Sequence, residues 1–150
     1  MDSIKNAIQS AERGQNPNLV SRLKGANVIM GRTQFLPGYC IVLPKRAVSS
    51  LNGLTLKDRQ MYLLDMSLVG DALLHCTSAT RINYEILGNT SPYLHAHVFP
   101  RYASEPLIRR KLPVWLYNKK YWLEPKYWYH KKRDGMLKQK LTAELKRLTK

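Results

Sequence analysis

Apolar residues along this chain recur with two different periods, and the places where the period changes outline the elements. Near the start, Ile4, Ala7, Ile8 and Ala11 return every three or four positions, the spacing of one helix face; Ser3 is placed to cap this helix and Gly14 to end it. A second short apolar piece covers 19–23, after Asn16-Pro17-Asn18. Residues 26–30 read as a strand closed by Gly31. Tyr39-Cys40-Ile41-Val42-Leu43 reads as another, stopped by Pro44, and the Pro37-Gly38 turn makes the two an antiparallel pair joined by a loop. Thr55 followed by Asp58 resembles a capping box, and Met61, Leu64 and Leu73 lie at helical spacing in the longest predicted helix, which runs to about Ser78.

Period two then takes over. Ile82, Tyr84 and Ile86 alternate with Asn83 and Glu85, as in a strand with one covered face. Gly88-Asn89-Thr90-Ser91-Pro92 breaks it with a polar turn. In the next run Leu94, Ala96 and Val98 point one way and His95 and His97 the other, so two imidazoles share one face of one strand. Past Pro100 the pattern is irregular until Gly135, after which Met136, Leu137, Leu141, Leu145 and Leu148 indicate a basic C-terminal helix. There is no internal repeat.

The chain has 150 residues, 44% hydrophobic and 23% charged, proportions that suit one soluble core and exclude wholesale disorder and collagen-like repeats. No apolar run reaches the roughly 18 residues of a membrane span, and Met1-Asp2-Ser3-Ile4-Lys5 is no signal-peptide h-region. A cytoplasmic protein without a membrane partner is expected. Cys40 and Cys76 show no metal-ligand spacing and read as buried thiols. The charge changes this picture. Residues 1–100 carry 10 basic and 6 acidic side chains, net +4, whereas residues 101–150 carry 15 and 4, net +11. That last third also holds Trp115, Trp122 and Trp128 and five of the nine tyrosines. A basic surface suits polyanions such as nucleotides, nucleic acid or an anionic membrane. The aromatics are read as packing onto the core, with stacking on a base as the alternative.

His95 and His97 follow a turn rich in amide and hydroxyl groups, the equipment for holding phosphate oxygens. A neutral imidazole beside bound phosphate can act as nucleophile or acid. Surface decoration is the plain alternative, and zinc is another, although Glu85, His75, His130 and Cys40 offer no recognisable spacing for a third ligand. Neither a nucleophile-elbow motif nor a Walker-type loop is present. Asn89 also suits an ordinary turn. Lys45, Arg46, Arg101 and Tyr102 read as solvated strand ends.

Asn89-Thr90-Ser91-Pro92-Tyr93-Leu94-His95-Ala96-His97-Val98-Phe99-Pro100-Arg101 resembles the signature of the histidine triad superfamily of nucleotide hydrolases and transferases, His-φ-His-φ-His-φ-φ with φ apolar, often followed by Pro-Arg. With Pro100-Arg101 in its usual place, His95 is the central histidine, His97 the last, and Tyr93 stands where the first normally is. The polar amide usual four residues ahead falls on Asn89. Upstream, Leu36-Pro37-Gly38-Tyr39-Cys40-Ile41-Val42-Leu43-Pro44 is similar to the family's Pro-Gly-His-x-x-φ-φ-Pro segment. Tyr39, in place of its histidine, is read as structural.

The resemblance implies an α+β fold, with an antiparallel sheet of about five strands, a long helix packed on it and a basic helical C-terminal extension. Residues 1–102 would form the core domain, and 103–150 an extension packing on it. It also implies a homodimer and a two-step reaction at the α-phosphate of dinucleoside polyphosphates (diadenosine tetraphosphate-like) or adenylates. In that reaction His95 is the nucleophile and forms a nucleotidyl-imidazole. His97 bonds phosphate oxygens and helps the leaving group, and Asn89, Thr90, Ser91 and the Tyr93 hydroxyl hold substrate. No metal or other cofactor is called for. Two alternatives stay open: a nucleic-acid end-processing enzyme that uses the basic extension, and a nucleotide-binding protein with weak catalysis because of Tyr93.

Overall fold

Strands Leu19–Arg22 (β1), Ala26–Met30 (β2), Cys40–Pro44 (β3), Arg81–Glu85 (β4) and Ala96–Arg101 (β5) pair into one antiparallel sheet in the order β1-β2-β3-β5-β4. The computed structural model of the chain describes residues 3–150. Helices Ser3–Glu12 (α1) and Leu56–Cys76 (α2) precede and interrupt the strands. Three more follow in chain order after β5, Leu107–Arg110 (α3), Lys120–Leu123 (α4) and Lys131–Leu148 (α5), with 3-10 turns among them. The α+β architecture is the one the family resemblance implies. Ser3, expected to cap α1, is the first residue within it.

Alternation along the strands assigns the two faces. Val28, Met30, Cys40, Val42, Ala96 and Val98 turn toward α2 and α5 and share one core with Tyr62, Val69, Leu73, Leu141 and Leu145. Residues of opposite parity meet two covers. Ile29 and Leu43 pack on Ile8 and Ala11 of α1, while Phe99 packs with Leu36, Tyr39, Val114 and Tyr117. Ile41 touches both covers and is the register partner of His97.

Thr55 caps α2, its hydroxyl accepting the Asp58 N–H at 3.1 Å, and the helix ends at Cys76, two residues short of the predicted limit. The fully buried Tyr62 crosses from α2 to donate to the Val42 carbonyl at 2.9 Å, a satisfied buried hydroxyl that fixes the helix over the strand paired with β5.

Residues 101–130 are ordered against the sheet despite their lack of period. Arg101 and Tyr102, predicted to be solvated, are buried. The Arg101 guanidinium bonds Glu105 (3.2 Å), Asn83 (2.7 Å) and the carbonyls of Leu112 and Arg109 (2.9 and 2.7 Å). A buried cation needs this full set of acceptors, and they lie up to eighteen positions away. Tyr102 donates to the Pro37 carbonyl. Further on, Gln34 and Tyr129 donate their backbone N–H groups to Tyr127 and Arg32, both at 2.7 Å.

The last helix begins at Lys131 rather than Gly135. The Asp134 carboxylate accepts the His130 N–H at 2.7 Å, so an acid in the first turn satisfies the start and Gly135 lies inside the helix. Among the described residues no helix is long and apolar enough to cross a membrane.

Candidate active site

Leu94 donates its N–H to the Val48 carbonyl at 2.8 Å and is buried, which pins the chain as it enters β5. From there, parity puts His95 and His97 on the face opposite Ala96 and Val98. Their ring centroids are 4.9 Å apart with planes at 77°, and both are buried, 8% and 9% exposed. Leu87, Gly88, Asn89, Thr90, Ser91 and Trp115 complete a pocket of about 450 Å³ around them.

The two rings are held differently. His95 Nδ1 lies 2.7 Å from the Tyr93 carbonyl. A carbonyl only accepts, so Nδ1 carries the proton and the neutral ring has its lone pair on Nε2. His97 Nδ1 lies 2.7 Å from the Tyr39 hydroxyl. Burial pushes the Tyr39 phenol well above the ordinary tyrosine value, so it stays protonated. A buried O–H needs an acceptor, and His97 Nδ1 is the partner this hydroxyl has, so the phenol donates. His97 Nδ1 therefore accepts, and its proton sits on Nε2. Desolvation, followed by the neighbouring His95, lowers the His97 pKa to about 4. As neutral rings the adjacent imidazoles thus present opposite chemistry: a lone pair on His95 Nε2 and an N–H donor on His97 Nε2.

Tyr39 reaches His97 through close packing. Its ring stacks on Phe99 at 4.3 Å and lies so near Gly31 that a Cβ there would come 2.2 Å from the ring. Gly31 therefore does more than close a strand. Gln34 clamps the same loop: its amide donates to the carbonyls of Gly31 and Tyr39 and accepts the Gly38 N–H, each at 2.9 Å.

The pocket brings together Asn89, Thr90, Ser91, His95 and His97. Tyr93 takes a different part from the one expected. Its ring packs against the α1 cluster with Lys5 5.9 Å above it, and the group it extends to the imidazoles is its main-chain carbonyl. Sequence reasoning passed over two other residues. Tyr39 was visible in its motif, an aromatic hydroxyl where the family has a histidine. Trp115 carried no local signal, since its neighbourhood of the pocket is set by tertiary folding. Glu85 stands opposite His97 in the β4–β5 register and accepts a hydrogen bond from Trp115 Nε1.

A larger cavity of about 570 Å³ lies elsewhere, among Phe35, Pro37, Cys76, Glu105, Tyr117 and Tyr121. It contains no imidazole, and its carboxylate is engaged by Arg101 and Tyr117, so the chemistry belongs to the smaller pocket. Among the described residues no three His, Cys, Asp or Glu side chains converge as a metal-binding set.

No protein-family model matches this chain, and neither does any curated protein sequence. Solved structures do. A histidine triad protein from Sinorhizobium meliloti 1021 superposes with a TM-score of 0.71 at 25% identity, covering 84% of this chain and 87% of its own. One from Marinobacter aquaeolei VT8 gives 0.72 at 22%, covering 87% and 91%. A hypothetical histidine triad nucleotide-binding protein from Sulfolobus tokodaii strain 7 gives 0.71 at 14%, covering 95% and 93%.

Proposed function

We propose, from the premise that this chain is a member of the histidine triad superfamily, that it is a nucleotide hydrolase acting at the α-phosphate through a nucleotidyl-His95 intermediate. The family fold supports a nucleotide-binding or hydrolase and transferase role in general. One observation carries the finer reading: the Tyr93 carbonyl binds His95 Nδ1–H and leaves Nε2 as a lone pair in the pocket wall.

In the first step His95 Nε2 attacks the α-phosphorus. A P–N bond forms, the P–O bond to the leaving group breaks, and that group departs with the electron pair. The imidazole becomes cationic, and the charge is shared with the Tyr93 carbonyl through Nδ1–H. Water then attacks phosphorus, the P–N electrons return to Nε2, and the water proton passes to solvent. Asn89, Thr90 and Ser91 supply donors to the phosphate oxygens, and His97 Nε2–H supplies another where negative charge gathers.

In the free site His97 holds one ring proton, and giving it up would leave an anion beside a phenol that burial keeps protonated. His97 therefore acts by donating a hydrogen bond rather than by transferring a proton. This supports substrates whose leaving group departs as an anion, namely phosphoric anhydrides such as diadenosine tetraphosphate and adenylates, over those that must leave as amines. The test is a turnover panel of diadenosine tetraphosphate, an adenosine phosphoramidate and 5′-adenylated DNA. Faster hydrolysis of the anhydrides supports the reading. Preference for the phosphoramidate overturns the substrate class, and no turnover of any member overturns the enzyme.

A second reading gains support from Trp115. The basic segment after residue 100 lines the pocket through this residue, so a nucleic-acid strand held along that segment would lead toward the imidazoles. Net +11 over residues 101–150 would make such binding steeply salt-dependent. Titration of labelled single-stranded DNA at low and moderate salt tests it, and absence of binding at low salt removes it. Family members often pair, and Leu64 and Leu74 of α2 and Tyr84 on edge strand β4 are exposed apolar residues available to a second copy of the chain; sedimentation reads the dimer.

A further inference from the structure

Trp115 is gripped from several sides. Its Nε1–H donates to Glu85 Oε2. Its ring meets His97 at 4.8 Å with planes at 87°, and Phe99 at 5.5 Å and 84°. Trp122 stacks on it at 4.7 Å and 18°, and Val114, beside it in the chain, is fully buried. Glu85 is itself half-buried at the strand edge, directly across from His97. Burial raises its pKa, while the bond from Trp115 and then the Arg101 charge pull the other way. A carboxylate that only decorated an edge strand would gain more from water than from this position. Its gain here is a fixed indole.

We propose that Glu85 is a positioning residue: its carboxylate holds the Trp115 indole against His97, so that the segment after β5 closes water off one side of the second imidazole. The inference rests on the reading of His97 as a neutral hydrogen-bond donor. The titratable groups that face His97 are His95 on its own strand, Tyr39 from the turn before β3 and Glu85 from β4, and Trp115 covers it from the C-terminal side. Removing Glu85 has two opposed effects on His97. Loss of a nearby negative charge disfavours protonation, whereas loss of the indole admits water and favours it. An upward movement in a Glu85 variant therefore reports the indole and not the charge.

The experiment is an NMR titration of the His97 ring in the whole protein, without substrate. In wild type the midpoint is expected at about 4. In Trp115→Ala and Glu85→Ala it should move up toward the ordinary imidazole value of about 6.5. Glu85→Gln keeps an oxygen acceptor for the indole but loses the charge, and should stay at or slightly below the wild-type midpoint. Trp128→Ala removes an indole that is held by Arg32 and the Trp122 carbonyl instead, and should leave the midpoint in place. Should Trp115→Ala fail to fold, Trp115→Phe keeps a ring, loses the donor and should still raise the midpoint. An unmoved midpoint in Trp115→Ala, or in Trp115→Phe in its place, overturns the cover. A raised midpoint there with Glu85→Ala no higher than Glu85→Gln, which loses the charge alone, overturns the role of Glu85. Because no nucleotide is present, a failed turnover panel leaves this result standing, and a failed titration leaves the panel standing.

Discussion

His95 and His97 are two residues apart on one strand face, yet the regions that prepare them differ in kind. His95 is set by its own stretch of chain. Its partner is the carbonyl two residues back, and the donor turn begins at Gly88. His97 is set by the rest of the molecule, through a phenol 58 positions away and an indole from beyond β5. The nucleophile end of the pocket thus needs little more than a correctly paired β5. The donor end needs the loop from Gly31 to Tyr39, the edge strand and the C-terminal segment together. Damage far from the histidines should therefore reach His97 first.

The largest break in this comparison is His95→Ala. It removes the attacking nitrogen and should lower turnover of the best anhydride substrate by about 10³-fold or more, with circular dichroism unchanged. His97→Ala leaves the nucleophile and removes one donor to the developing charge. A loss on the order of 10²-fold is expected, mostly in kcat. Comparable losses in kcat for the two would contradict the division of labour.

Tyr39→Phe sharpens the contrast at the donor end, because it frees His97 Nδ1 and lets the ring exchange tautomers. About a tenfold fall in kcat/KM is expected, with His95 reactivity toward diethyl pyrocarbonate retained. Gly31→Ala attacks the same end through packing. A Cβ at 2.2 Å from the Tyr39 ring should cost about 1–3 kcal/mol in urea unfolding and lower turnover along with it.

The pH dependence of stability reports on the donor end. The His97 pKa is about 4 in the fold and ordinary, about 6.5, when unfolded. Between those values the unfolded chain binds a proton that the folded chain does not, so the His97 contribution is complete above about pH 6.5 and is lost as pH falls toward 4. Unfolding of wild type and His97→Asn at pH 7.5 and 4.5 measures it, and the drop should be smaller in the variant. The smallest effect is expected for Tyr93→Phe. The carbonyl that holds His95 survives the change, and activity should stay within about twofold of wild type.

Much of the nucleophile end was legible in the sequence. Alternation from Leu94 to Phe99 and the polar turn ahead of it are local patterns, and both histidines, Asn89, Thr90 and Ser91 do line one pocket. The motif drew attention to Tyr93 for its hydroxyl, but the ring lies in the α1 cluster. A motif position specifies a place along the strand and leaves open which atom of that residue is used. Arg101 misled for a related reason. Charged residues at strand ends are usually solvated, and this one is buried by acceptors that local pattern does not reveal.

By itself the sequence determined four of the five strands, the long helix, the face shared by the imidazoles and the donor-rich turn, because period and turn chemistry act between residues a few positions apart. The tertiary structure alone decided which nitrogen of His97 bears the proton, how dry that ring is, and that Tyr39, Glu85 and Trp115 surround it. Tautomer and desolvation are properties of what is packed against a side chain, and these neighbours reach His97 across separate strands and a connecting segment with no periodic pattern.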